Sequence, residues 1–343
     1  MPRITIKTVA QAVGVSPSTV SNAYNKPGQL SAELRDRILA KADELGYAGP
    51  DAAARSLRSG RAGAVGVLLT QRLSYAFSDP YAVGFLTGLS EVMEESATSV
   101  LLLPLSDSVE LTTQTMRNAN IDALTALCVD ANSPAIQVAA ARKIPIVRTD
   151  PVPGECASYV TIDDFEAGKL VGDHLNRLGH RQVTIVTDRH TMTHLEHRQT
   201  SFDEVRCADC RRRLQGIRAA MPDAAINVIT GGHNAVESGQ RAAPVALDAQ
   251  HRPTAVVALS DVLALGILDA MSTRGIQPGK DISVVGFDDI PAAAGVGLTT
   301  VRQPIIDKGR KVGQLLLDPE LTERQITLPI ELIVRSSTGP AAR

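Results

Sequence analysis

Along most of this chain, short apolar runs alternate with stretches of helical spacing. The runs are AVGVLL (64–69), SVLLLPL (99–105), ALTALCV (123–129), KIPIV (143–147), QVTIVT (182–187), AINVIT (225–230), TAVVALS (254–260) and ISVVGF (282–287). Helical patterns lie between them, near 80–96, 108–118 and 133–142 in the first half. Near-continuous apolar strands separated by helices predict parallel sheets covered on both faces. The units are too many for one small sheet, so the pattern predicts two lobes.

The front of the chain follows a different pattern. Thr8 to Asn25, TVAQAVGVSPSTVSNAYN, predicts two short helices around a tight turn. Val9, Ala10 and Val13 give the first helix an apolar face, Gly14 suits a left-handed turn, and Val15 is an apolar plug. Ser16 is a good N-cap, with Pro17 at the first helical position, where a missing N–H costs nothing. The second helix is expected to turn Val20, Ala23 and Tyr24 inward and Ser18, Thr19, Ser21 and Asn22 outward. An apolar inner face with a short polar outer face suits entry into a major groove. Ser31 then caps a third helix, to Tyr47, with Leu34, Ile38, Leu39, Ala42 and Leu45 at 3-4 spacing and Gly46 as its stop.

These residues carry a resemblance. VAQAVGVSPSTVSNAYN is similar to the helix-turn-helix of the lactose-repressor/purine-repressor (LacI/GalR) family, and the third helix and PDAAARSLRSG follow at the family's distance. The resemblance spans essentially the whole chain. It implies an α/β sensor of two doubly wound parallel-sheet lobes, periplasmic-binding-protein-like, behind a small all-α helix-turn-helix headpiece. The implied layout is a headpiece over 1–49, a hinge helix or linker over 50–61, and an effector-binding and dimerisation region over 62–343. The chain would cross between lobes near Ile162, Val301 and Leu328.

By the same matching, Pro17, Ser18 and Asn22 fall at base-reading positions; Asn can pair bidentately with adenine. Thr5, Ser16, Thr19, Ser21 and Asn25 fall at phosphate-contacting positions, which set register. Leu57 matches the leucine that the family wedges into the minor groove, with Ala54 and Arg58 beside it. The effector candidates are Asp79, Tyr81, Asp150, Arg213, Phe287 and Asp288. Ser260 stands where the family carries asparagine. An arginine among carboxylates suits a neutral polyhydroxylated ligand: a sugar, polyol or nucleoside. The implied partners are double-stranded operator DNA, a sugar-like effector and a second copy of the chain, in a regulator, most readily a repressor.

Composition adds limits. Residues 1–61 hold nine Lys/Arg and five Asp/Glu, a net +4, and the remainder is −6. A basic head on an acidic body suits phosphate contact at one end. No apolar run approaches the ~18 residues of a membrane span, and the N-terminal MPRITIKTVAQ has no signal-peptide core. Four cysteines in a chain this long are no disulfide framework, so a cytoplasmic location is expected. Tryptophan is absent, leaving Tyr81 or Phe287 to stack on a ligand.

One departure is the long loop between Asp188 and Arg213, which holds His190, His194, His197 and Cys207-x-x-Cys210. Cys207, Cys210, His194 and His197 are conceivable zinc ligands, although the spacing is not that of a standard finger and a polar loop with incidental thiols is the plainer reading. No cofactor is called for. No P-loop, Gly-x-Ser-x-Gly or dinucleotide fingerprint is present, and the adjacent acids Asp163–Asp164 and Asp288–Asp289 make poor general acid/base pairs. An enzyme is not expected. The rival reading is a cytoplasmic solute-binding sensor that binds no DNA.

Overall fold

The computed structural model describes residues 4–49, 60–69, 73–106, 108–130, 132–150, 157–188, 198–205, 207–230, 232–247 and 252–342. The chain divides into two compact units, Met1–Ala62 and Gly63–Arg343. Ala54, Leu57 and Arg58 lie outside the described residues, as do His194 and His197.

The first unit is three helices, α1 (Ile6–Val13), α2 (Pro17–Asn25) and α3 (Ala32–Glu44). Their apolar stripes meet in one small core of Val9, Ala10, Val20, Ala23, Ile38 and Ala42, with Val15, Leu34 and Leu45 packed around it. Gly14 ends α1 at φ +74°, a conformation that glycine adopts without strain. Ser16 Oγ accepts the Thr19 N–H at 3.1 Å, and Ser31 Oγ accepts the Leu34 N–H at 3.3 Å, so both N-caps act as their sequence positions suggest.

In the second unit the first sheet has strand order β12-β5-β4-β3-β1-β2, every pair parallel. Its strands are β1 (Ala64–Leu69), β2 (Ser99–Pro104), β3 (Ala123–Leu127), β4 (Ile146–Arg148), β5 (Tyr159–Ile162) and β12 (Gln325–Leu328). The second sheet has order β13-β11-β10-β9-β6-β8-β7. Its strands are β6 (Gln182–Thr187), β7 (Arg198–Thr200), β8 (Ala225–Thr230), β9 (Ala255–Ala258), β10 (Ser283–Asp288), β11 (Thr299–Arg302) and β13 (Glu331–Ile333). Only its edge strands β7 and β13 run antiparallel. Buried clusters cover both faces of each sheet, as near-continuous apolar strands require. The chain passes between sheets after β5, after β11 and again between β12 and β13.

The helices that cover the sheets include α4 (Pro80–Glu95), α5 (Val109–Asn118) and α6 (Pro134–Ala141) in the first lobe, then α7 (Asp164–Arg177), α8 (Ala208–Ala220) and, further on, α9 (Val236–Leu247) in the second. Two more follow, α10 (Asp261–Thr273) in the second lobe and α11 (Ile305–Leu317) in the first. Each lobe holds a helix pair in backbone contact. A Cβ at Gly88 of α4 would stand 1.9 Å from the Ile306 carbonyl oxygen of α11, and one at Gly168 of α7 would stand 2.0 Å from that of Arg213 in α8. These close crossings bring side chains of both helices together at their N-terminal ends.

Candidate functional site

The outer face of α2 is the first candidate. Pro17 and Ser18 are exposed on its first turn, and Thr19 and Asn22 are partly exposed. Ser16 Oγ also lies 2.7 Å from Ser18 Oγ and 2.8 Å from Thr19 Oγ1, a short hydroxyl ladder at the helix start. Among the described residues, Asn22 Nδ2 makes only a long contact, 3.4 Å, to exposed Gln29 Oε1, leaving its amide available to a base edge. Thr5 is exposed at the start of α1, paired with Thr8 Oγ1 at 3.2 Å. Ser21 is a correction: expected outward, it is buried, because it faces the next turn, where Asn25 Nδ2 donates to its carbonyl oxygen at 3.0 Å and lies 3.3 Å from its Oγ. Lys7 and Lys26 flank this face and are exposed.

The second candidate is the polar seam between the two sheets, at the C-terminal ends of the strands. Asp150 follows β4, and its carboxylate takes Arg148 Nη2 at 3.0 Å and Nε at 3.3 Å. Arg148 Nη2 also donates to the Val129 carbonyl. Burial pushes Asp150 up to about 6 against the pull of that arginine. Asp79 N-caps α4, one oxygen accepting the Ala82 N–H at 3.2 Å. Tyr81, on the first turn of α4, accepts from Lys308 Nζ at 3.0 Å, and burial raises its hydroxyl.

In the second lobe, Arg213 Nε donates to Asp164 at 2.8 Å and Nη1 to the Leu259 carbonyl at 2.9 Å. Burial opposes its charge, but Asp164 and Asp288 more than offset that. Asp288 ends β10 at φ +121°, a conformation that costs a non-glycine residue ~1–3 kcal/mol and points to a functional constraint. Its carboxylate takes Gln303 Nε2 at 2.7 Å, and burial with the charges of Asp261 and Asp79 holds its proton well above the usual carboxylate range. Asp289 turns away to Arg302 and Arg335, both at 2.7 Å, so the adjacent acids do separate work. Asp163 and Asp164 divide likewise, one capping α7 and one holding Arg213.

Phe287 departs from its expected part. Its ring is wholly enclosed in the second lobe's core, with the Arg213 guanidinium 4.7 Å from its centroid. It serves as a platform beneath the arginine. Ser260 caps α10 and donates to Asn234 Oδ1 at 2.5 Å. Asp261 is structural, taking Thr300 Oγ1 at 2.6 Å and the Ile290 N–H at 2.9 Å.

Several seam residues escaped the sequence reading, Arg148 and Gln303 among them, and two more stand out. Asp209, on the first turn of α8, is pushed up to about 7 by burial and by the charges of Asp164 and Asp150. Lys308, on the first turn of α11, is buried at 5% exposure. Its signal was present: Ile305, Lys308, Val312, Leu315 and Leu316 follow a 3-4 spacing, so a lysine occupies a core-stripe position. Cys207 and Cys210 sit at the start of α8, the Cys207 sulfur accepting the Cys210 N–H at 3.3 Å. No group of three or more His, Cys, Asp or Glu side chains able to hold a metal occurs among the described residues.

Comparison with known proteins decides the family. A family model for bacterial regulatory proteins of the lacI family matches residues 5–49, and one for a periplasmic binding protein-like domain matches 172–338. A helix-turn-helix-type transcriptional regulator of Mycobacterium tuberculosis is 37% identical, covering 99% of this chain and 98% of its own. The chain belongs to the LacI family. This LacI-family member is a DNA-binding transcriptional regulator. A crystal structure of a LacI-family transcriptional regulator from Corynebacterium glutamicum aligns over 100% of both chains at 29% identity and a TM-score of 0.72. The lac repressor dimer, solved with operator and an anti-inducer, shares the fold at a TM-score of 0.78 and 24% identity, over 98% of this chain and 99% of that one. Among the described residues of this regulator, no helix is long and apolar enough to cross a membrane.

Proposed function

We propose that this regulator is a repressor whose operator affinity is set by a small polyhydroxylated molecule bound in the seam between its lobes. The observation that carries the effector half is the convergence of buried and half-buried charge from both lobes: Asp79, Asp150 and Lys308 from one, Asp164 and Asp288 with the half-buried Asp209 and Arg213 from the other. Buried charges on facing elements cost several kcal/mol each unless paired, and a core needs none of them. Carboxylates that accept, beside an arginine and a lysine that donate, match the paired donor and acceptor of a hydroxyl.

In this reading Pro17, Ser18 and Asn22 read bases, while Thr5, Ser16, Thr19 and Asn25 set register on phosphates. Leu57, with Ala54 and Arg58, wedges the minor groove at the centre of a pseudo-palindrome bound by a homodimer. The lac repressor dimer on its operator supports that arrangement by fold. Effector binding biases the arrangement of the two lobes and through it the operator-bound state. Footprinting on DNA upstream of the protein's own coding region, with and without a panel of sugars, polyols and nucleosides, tests the proposal. The expected result is a protected pseudo-palindrome released or tightened by one compound. Protection that no compound alters overturns the effector half, and no protection at low salt overturns the repressor.

A further inference from the structure

Three cations stand in the seam, and two are already committed. Arg148 donates to both oxygens of Asp150 and to the Val129 carbonyl. Arg213 is split between Asp164 and the Leu259 carbonyl. Lys308 is different. An ammonium carries three donors. Among the described residues, Tyr81 Oη is the one acceptor within hydrogen-bond distance of Nζ, and no carboxylate lies within ion-pair distance. The charge nevertheless acts on both lobes: it pulls on Asp150 and Cys128 at the strand ends of the first, and on Asp209 of the second. A buried ammonium with one hydrogen bond is costly unless something else accepts from it. Gln303, five residues before Lys308 on the same crossing segment, has the complementary deficit: its Oε1 is buried with no hydrogen-bond partner among the described residues. One segment therefore offers a spare donor and a spare acceptor, which is the pair a hydroxyl answers.

The two aromatic residues offered for stacking are both engaged. Phe287 is enclosed beneath Arg213, and Tyr81 packs against the first lobe's core with its hydroxyl held by the Lys308 ammonium. Even with Asp288 holding its proton, the carboxylates of Asp79, Asp150, Asp164 and Asp209 at least match the three cations, so the seam has no surplus positive charge for an added anion.

We infer that Lys308 is a ligand-contacting, specificity-determining residue, its ammonium steadied by Tyr81, and that the effector is an uncharged sugar or polyol with no aromatic base. This rests on the seam being the effector site. The ammonium donates to ligand hydroxyl oxygens, and Gln303 Oε1 and Asp209 accept from ligand hydroxyls.

The test is isothermal titration calorimetry of the full chain. The probes are glucose, ribose, sorbitol and inositol against gluconate, glucose 6-phosphate and adenosine, each to tens of millimolar. The inference expects an uncharged member to bind and the others not. Lys308→Met then weakens that binding roughly 10- to 100-fold, and Lys308→Arg recovers part of it. Tyr81→Phe, which keeps the ring, is expected to weaken it by roughly tenfold and serves if Lys308→Met does not fold. Unchanged affinity in Lys308→Met, or in Tyr81→Phe where that variant stands in, overturns the role of Lys308; if Asp288→Ala still loses binding, the seam remains the site. Unchanged affinity in Asp288→Ala as well overturns the site itself. Binding of gluconate, glucose 6-phosphate or adenosine alone, or of nothing in the uncharged set, overturns the ligand class.

Discussion

Gly168→Ala should loosen the effector seam without altering any side chain in it. The added Cβ would stand 2.0 Å from the Arg213 carbonyl oxygen, 2.7 Å from its carbonyl carbon and 2.8 Å from its Cα. Ordinary carbon contacts begin near 3.4 Å, so α7 and α8 must part by roughly 1.4 Å, and these are backbone atoms that no rotamer change can move. Asp164 lies on α7 and Arg213 on α8, joined at 2.8 Å, and a separation of that size breaks the bond. Overpacking of this kind costs up to about 3 kcal/mol, and severing a buried ion pair adds to it. For a unit of this size that is a fall of roughly 5–10 °C in the sensor's melting temperature. Differential scanning calorimetry reads it directly, and effector affinity should fall in parallel because Arg213 has moved. Gly295→Ala is the control: nothing lies within 4 Å of its added Cβ, so it should be neutral. A Gly168→Ala protein that melts with the wild type and binds effector equally would refute the helix crossing on which Arg213 depends.

Four further outcomes follow from the same account. Ser16→Ala removes the cap on α2 and should destabilise the headpiece by about 1 kcal/mol, seen as a lower headpiece transition and weaker operator binding. Leu57→Ala should weaken operator binding in a mobility-shift assay while calorimetric effector affinity stays at the wild-type value. Asp288→Ala should abolish the effector response while low-salt DNA binding persists. Asp209 is held at about 7 against 3.8 by burial and by Asp164 and Asp150, so the folded sensor retains a proton that the unfolded chain releases. Its contribution to stability is present below pH ~4 and is lost as pH rises toward ~7. Asp209→Asn should flatten that part of the stability–pH profile in urea titrations, and an unchanged profile would show that Asp209 is not buried as described.

Most of the architecture was legible because parallel strands buried on both faces leave near-continuous apolar runs. All eight runs became strands, with ends shifted by a few residues. The strands that escaped, β5, β7, β11, β12 and β13, are three or four residues long and lie at crossings or sheet edges, where too few positions exist to show a period. β7 lies in the stretch that read as a polar histidine-rich loop. At the seam, Asp150, Arg213 and Asp288 were findable because they stand at strand ends or in a recurring motif. Phe287 was placed one layer too far out, since a strand-end phenylalanine looks the same whether it lines a cleft or backs an arginine. Ser21 was misassigned by its polarity, because a serine can be buried once a neighbouring amide satisfies it. Lys308 was hidden by its amphipathic helix: a lysine on a core stripe was read through, when it was the anomaly.

The central claim is that occupancy of the seam and affinity for the operator are coupled. Coupling of two binding sites is reciprocal. The decisive measurement is therefore operator affinity with and without saturating effector, together with effector affinity with and without operator. The same factor, different from one, is expected in both directions. An operator affinity that does not change when the seam is saturated would contradict it.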